Sequence, residues 1–289
     1  MGFFAEPVTS KVPQITVFFW IIKVLATTVG ETFADFLNQD AGLGLGGTSG
    51  VMLAITLLAL FVQMRLRVYA APVYWFVIVA ISTVGTLLTD NLTDSLGASL
   101  EITTPVFVVA LLLVFAGWFY VERDLSIHTI CTRRREAWYW LAVLFTFALG
   151  TAAGDLIAEQ LNIGYGNSLV LFAGCILVAS LLWRFRVIGA VLGFWIVYIL
   201  TRPLGASLGD LLSQNPADAS SGGSSSGSSS GSAAAEEALP SAWKAGLALG
   251  TTVTSMIFLG LIALLVTFLA VTGKDQLGPT DHVAVQDLE

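Results

Sequence analysis

Apolar runs recur along almost the whole chain, separated by short polar stretches. Eight are read, at roughly Ile15–Leu37, Gly50–Tyr69, Pro72–Leu92, Thr104–Val121, Ala137–Ala158, Ser168–Arg184, Gly189–Leu212 and Ala242–Thr272. A helix needs about 20 residues to cross a hydrocarbon core about 30 Å thick, so each run predicts a membrane-spanning helix. Once they are set aside, no stretch remains that is long enough for a sizeable soluble domain. The expected fold is an all-α integral membrane protein, with residues 1–274 forming one membrane domain.

The odd-numbered runs share a pattern. Trp20 is followed by Gly30 and Asp35, Trp75 by Gly85 and Asp90, Trp140 by Gly150 and Asp155, and Trp195 by Gly205 and Asp210, always at offsets of 10 and 15 residues. A pattern of this length occurring four times marks internal repeats, here over about 15–69, 72–130, 132–188 and 189–274. Each repeat pairs a patterned helix with a plainer apolar one. Two crossings return the chain to its starting side, so the repeats run parallel about an axis along the membrane normal. Each aspartate then lies about 22 Å beyond its tryptophan, at the other end of the helix.

With these motifs in view, the chain resembles a family of bacterial, uncharacterised "membrane-anchored" proteins built from four tandem two-helix repeats of unknown function, each with a tryptophan. The resemblance is carried by KVLATTVGETFADFL (23–37), ERDLSIHTICTRRREAWYW (122–140), LFTFALGTAAGDLIAE (144–159) and TRPLGASLGDLL (201–212). It implies a multi-pass protein of a bacterial inner membrane, and no settled activity.

Two stripes run along each odd helix. Offsets 10 and 14 are Gly30/Ala34, Gly85/Thr89, Gly150/Gly154 and Gly205/Gly209. Such small-xxx-small pairs let backbones approach closely where lipid gives no hydrophobic drive for association, so this stripe predicts the packing seam. Gly46/Gly50 and Gly246/Gly250 read the same way. The tryptophans are either interfacial anchors or buried packing residues.

Offsets 3, 7, 11 and 15 share the neighbouring face. They are Lys23, Thr27, Glu31 and Asp35; Ile78, Ser82, Thr86 and Asp90; Val143, Phe147, Thr151 and Asp155; Tyr198, Arg202, Ala206 and Asp210. An ionised group at mid-membrane costs roughly 2.5–3.5 kcal/mol on insertion scales, so such side chains face a protein interior or a water cavity. Lys23 or Arg202 is expected to pair with Glu31. That pairing serves either to fix helix order or to line a substrate or proton path. The four aspartates sit near helix C-termini, where the macrodipole disfavours them; they are solvated caps or a carboxylate vestibule that gathers cations.

Composition supports this picture. Hydrophobic residues make up 56% of the 289, charged ones 11%, and mean hydropathy is +0.82. Lys11, Arg65, Arg67, Arg123, Arg133, Arg134, Arg135, Arg184, Arg186 and Lys274 fall on one side of an eight-span model, against Lys244 on the other. The positive-inside rule therefore puts both termini in the cytoplasm. The first span has no small-residue cleavage site behind it and reads as a retained anchor. Residues 214–240, with their Ser/Gly repeats, read as an extracytoplasmic linker within the fourth repeat, and 275–289 as a disordered cytoplasmic tail. The net charge of −7 argues against a nucleic-acid partner.

Two histidines and two scattered cysteines offer no haem, disulfide or metal framework, and no cofactor is expected. No phosphate-cradling loop or catalytic triad motif appears, so an enzyme is the least expected class. Two readings remain. One is a secondary transporter or permeation protein for a small solute or cation, using the charged odd helices. The other is a non-transporting scaffold or sensor whose buried charges specify packing. The basic loop holding His128, Arg133, Arg134 and Arg135 is either an anchor at anionic headgroups or a cytoplasmic gate or anion contact.

Overall fold

The computed structural model describes residues 10–160, 163–213, 247 and 249–275. They form eight long helices: α1 (Val17–Asp35), α2 (Gly44–Arg65), α3 (Ala71–Asp90), α4 (Leu100–Glu122), α5 (Arg133–Asp155), α6 (Tyr165–Arg184), α7 (Ala190–Ser213) and α8 (Thr251–Thr272). All eight are long and apolar enough to cross a membrane, and no strand occurs among the described residues. The starts follow local chemistry. Thr16 and Thr132 cap α1 and α5 by accepting from the Phe19 and Arg135 amides, and Pro72 sits in the first turn of α3.

Two concentric layers result. The odd helices α1, α3, α5 and α7 form an inner ring in which each touches the two others beside it. Between 56% and 67% of their membrane-spanning residues are buried, against 22–28% for the even helices outside them. Each even helix packs on the odd helix of the following repeat: α2 on α3, α4 on α5, α6 on α7, and α8 back on α1. The packing unit is therefore the even–odd hairpin, offset by one helix from the sequence repeat. The chain ends close the circle, where the Gln14 amide donates to Asp275 O (2.9 Å) and the Tyr69 hydroxyl to Asp275 Oδ2 (2.6 Å).

Several boundaries differ from the sequence reading, among them α4 and α5, which begin four residues early at Leu100 and Arg133; three others have a clear local cause. Helix α2 begins at Gly44, six residues earlier than Gly50, because tertiary contacts outweigh its glycines. Leu45 packs in a cluster with Ala34, Met52 and Leu87, and Ser49 donates to Leu45 O while accepting from Asn91. It also ends sooner, at Arg65, because Leu66 turns extended and Tyr69 is drawn to Asp275. Helix α8 begins at Thr251 rather than Ala242. The Leu247, Leu249 and Gly250 amides instead cap the last carbonyls of α7, on Leu211, Leu212 and Ser213. The linker 214–240, Gly246 and the tail after Asp275 lie outside the described residues.

Candidate functional site

The offset pattern becomes a stack of layers across the inner ring, spaced by about 6 Å along the helices. The offset-3 layer is Lys23, Ile78, Val143 and Tyr198; the offset-7 layer is Thr27, Ser82, Phe147 and Arg202; both are completely buried. The offset-11 layer holds Glu31, Thr86, Thr151 and Ala206, also buried. The offset-15 layer holds the four aspartates, of which Asp210 is buried and Asp35, Asp90 and Asp155 are half-buried.

The glycine stripe sets how these layers interlock. A side chain grown on Gly30 would overlap Ser82; on Gly85, Phe147; on Gly150, Arg202; on Gly205, Thr27. In every case the offset-10 glycine receives the offset-7 side chain of the next repeat, and the fourth repeat returns to the first. Gly154 lies against Pro203, and Gly209 against Thr32 and the Thr28 carbonyl. The expected seam is present. Gly46 and Gly50 do not belong to it, because both face open space.

Arg202 is the point where all four inner helices meet. Its Nη1 donates to Thr27 O (3.0 Å), and its Nη2 reaches Glu31 Oε2 (2.8 Å), Thr151 Oγ1 (2.7 Å) and Thr86 Oγ1. The Thr86 hydroxyl in turn donates to Glu31 Oε2 (3.1 Å). The guanidinium thus rises from the offset-7 layer and engages three of the four offset-11 residues. The fourth is Ala206, whose short side chain carries no polar group. Of the two cations expected to pair with Glu31, Arg202 does so. Removing two charges from water is costly, and such a pair persists only when further hydrogen bonds satisfy it; here threonines supply them.

Lys23 is placed differently. Its Nζ has no hydrogen-bond partner among the described residues and lies over the rings of Phe147 (4.0 Å) and Tyr198 (4.3 Å). Lys23, Glu31 and Arg202 therefore do not close into a hydrogen-bonded triad: Arg202 takes Glu31, while the Lys23 ammonium is held by aromatic faces and shares the Phe147 ring with the guanidinium (5.7 Å from Arg202 Cζ).

The motif aspartates lie near helix C-termini, as expected: Asp35, Asp90 and Asp155 are the last residues of α1, α3 and α5. After Asp35, Asp90 and Asp155 the helical path continues through a five-residue wide turn of π type, at Phe36–Asp40, Asn91–Ser95 and Leu156–Gln160. The macrodipole acts mainly within the last turn, so the expected penalty applies only to Asp210, three residues before the end of α7. Asp90 lies within electrostatic reach of Glu31, Asp35 and Asp94. Among the described residues, no three His, Cys, Asp or Glu side chains converge as a metal-holding set.

Towards the other end of the ring, the tryptophans are packing residues rather than interfacial anchors: Trp75, Trp140 and Trp195 are buried and Trp20 half-buried. Each is preceded by an aromatic residue, and the eight rings form a closed belt. Its order is Trp20, Phe19, Trp75, Tyr74, Trp140, Tyr139, Trp195, Phe194 and back to Trp20, with centroids 5.0–6.3 Å apart. Beyond the belt, Lys11 pairs with buried Glu136 (2.7 Å), to which Gln63 also donates (3.2 Å).

In the basic loop, Arg134 and Arg135 bind Glu122, and Arg135 also reaches Asp124 (3.2 Å). The His128 side chain is exposed on a short 3₁₀ turn, Ile127–Thr129. These residues lie outside the inner ring's layers.

Sequence reasoning missed Phe19, Tyr74, Tyr139 and Phe194, although an aromatic residue directly before every repeat tryptophan was a readable signal. It also missed Glu136 and Gln63, for which no periodic signal exists.

A family model described as Repeat of Unknown Function (DUF347) matches the chain four times, over residues 18–69, 73–124, 138–188 and 193–275. No curated protein and no solved structure matches it. The four matches begin within three residues of the four tryptophans that build the belt and together cover most of the chain, so this multi-pass helical membrane protein belongs to the DUF347 repeat family.

Proposed function

We propose that the protein is a secondary transporter or permeation protein, moving a small solute or cation along the axis of the inner ring in a bacterial inner membrane, with both termini cytoplasmic. No enzymatic activity is proposed. The observation that carries this reading is the Arg202 junction, in which one buried guanidinium binds groups from α1, α3 and α5. A junction made of exchangeable hydrogen bonds holds the ring closed and opens when a competing cation takes Glu31 or a competing acceptor takes Arg202. Two further features support it. Lys23 Nζ and Arg202 Nε are buried donors without acceptors among the described residues, which a passing polar group can satisfy. The half-buried aspartates supply an acidic approach to Glu31.

The scaffold reading draws on one specific observation: the offset-7 side chains fill the glycine notches of neighbouring helices, so the same residues also fix helix order. Flux measurements in proteoliposomes separate the two. Transport should be lost in Glu31→Gln and weakened in Asp35→Asn. Undiminished flux in both variants counts against a carboxylate route. If no solute moves under any imposed gradient, the scaffold reading replaces it.

A further inference from the structure

The positive residues at the basic end are not equivalent. Of the three consecutive arginines, Arg134 and Arg135 are occupied by Glu122 and Asp124. Arg133 makes no ion pair among the described residues, and neither does Arg67 in the α2–α3 turn. Both line one depression of about 310 Å³, together with Lys11, Leu66 and Cys131. The carboxylate found next to this group is Glu136, completely buried and already shared by Lys11, Gln63 and the Trp140 indole. Among the described residues, three cations against one anion leave a surplus of two positive charges at the pocket.

The geometry points to a phosphate-binding site in this pocket, filled either by the headgroup of an anionic lipid or by a free phosphate. Two guanidiniums and an ammonium around a compact, polar depression match the acceptor-rich, multiply charged phosphate group. The first turn of α5 adds to this. Its cap Thr132 takes the Arg135 amide, and Arg133 opens the helix, so the positive end of the helix dipole borders the pocket. The site also lies at the basic end of the bundle, at a level where a bilayer presents headgroup phosphates.

Occupancy has a structural consequence. Lys11 belongs to the segment of residues 10–16 that covers the basic end, where Ser10, Lys11 and Val12 are buried and the Lys11 amide donates to Ile130 O (3.0 Å). A phosphate on Arg67 and Arg133 sits beside Lys11 and shares it with Glu136, tightening this segment over the aromatic belt. The inference does not depend on transport.

Cys131 supplies the reporter. It lies in the pocket, half-buried, and its burial pushes the thiol above the usual range despite Arg135 and Lys11. Full-length protein carrying Cys175→Ser, which leaves Cys131 as the single cysteine, is reconstituted in vesicles and labelled with N-ethylmaleimide. Three conditions are compared: phosphatidylcholine alone, phosphatidylcholine with about one-fifth phosphatidylglycerol, and phosphatidylcholine with inorganic phosphate in the buffer. Labelling should slow about fourfold where the site is three-quarters filled. Slowing with phosphatidylglycerol alone identifies a lipid headgroup; slowing with inorganic phosphate in neutral vesicles identifies a soluble ligand. Either supports the site, provided the effect disappears in Arg67→Gln/Arg133→Gln and persists in Arg184→Gln/Arg186→Gln, which removes the same charge elsewhere on that face. Unchanged labelling in all three conditions overturns it. So does slowing that survives the pocket substitutions, or that vanishes equally in the control pair, because either marks a general surface potential.

Discussion

The aromatic belt and the polar layers beyond it are built on the same four helices at equivalent offsets, yet their side chains are chosen differently. In the belt, every repeat supplies a Phe or Tyr followed by a Trp, and each Trp packs on the aromatic residue of the preceding repeat. In the offset-7 and offset-11 layers the four repeats supply Thr, Ser, Phe and Arg, then Glu, Thr, Thr and Ala. Four equal repeats would line an axis with four equal side chains. Here the two layers hold one buried cation reaching one buried anion, so the fourfold pattern is kept in the belt and in the offset-15 aspartates and abandoned in the layers that hold the ion pair. Equal stacking serves packing; unequal layers let a single ion pair sit at the centre without three like-charged copies.

The contrast can be broken most severely at the belt. Trp75→Ala removes a fully buried indole that contacts Phe19 and Tyr74, and large-to-small core changes of this kind destabilise by about 4 kcal/mol. Trp140→Ala should cost at least as much, because its ring packs between Tyr74 and Tyr139 in the same way and its indole also donates to Glu136 (3.5 Å). Thermal unfolding in detergent checks both, and a clearly smaller loss for Trp140→Ala would show that the belt is less regular than its geometry.

Next comes the asymmetric layer. Arg202→Met leaves Glu31 buried without its partner, which should destabilise by about 3 kcal/mol. Adding Glu31→Gln to it should restore most of that stability, since the orphaned charge is then gone. A double-mutant cycle with simple additivity would mean that the two groups do not depend on each other in the membrane.

The seam gives a smaller effect. Gly150→Val must displace Arg202 and Pro203 and should cost about 2 kcal/mol by overpacking. Gly174→Val, on the outer face of α6 where the added carbon meets nothing, should stay within about 0.5 kcal/mol of the parent. Equal melting temperatures for the two would remove the case for close backbone approach at offset 10.

Much of this arrangement was legible in the chain, and the reasons for the gaps are physical. Hydropathy and length fixed the number of spans because lipid enforces both. The offsets of Gly30, Gly85, Gly150 and Gly205 identified the seam, since close approach admits few residue types. Periodicity also named the faces bearing Lys23, Glu31 and Arg202, yet it did not say which cation takes Glu31. That outcome depends on α7 lying beside α1, a long-range contact between the first and last repeats. The start of α8 was misplaced because Leu247 and Leu249 read as apolar helix, whereas their amides are used to cap α7. The pairing of each even helix with the next repeat's odd helix is likewise invisible in a pattern that both possible neighbours would satisfy.

The mildest effect on stability is expected at Lys23, where the two roles of a polar layer can be separated. Its ammonium touches two aromatic faces and no acceptor. Contact with two rings returns on the order of 2 kcal/mol in a desolvated site, while burying the charge costs at least as much. Lys23→Met keeps the length of the side chain and removes the charge, so the melting temperature should remain unchanged or rise slightly, unlike that of Arg202→Met. Flux through reconstituted protein should nevertheless be lost, because the offset-3 layer, next to the aromatic belt, then has no cationic group. A loss of stability comparable to Arg202→Met would mean that the ammonium is a structural member of the ring. Full flux in a stable Lys23→Met protein would place the route off this face of α1.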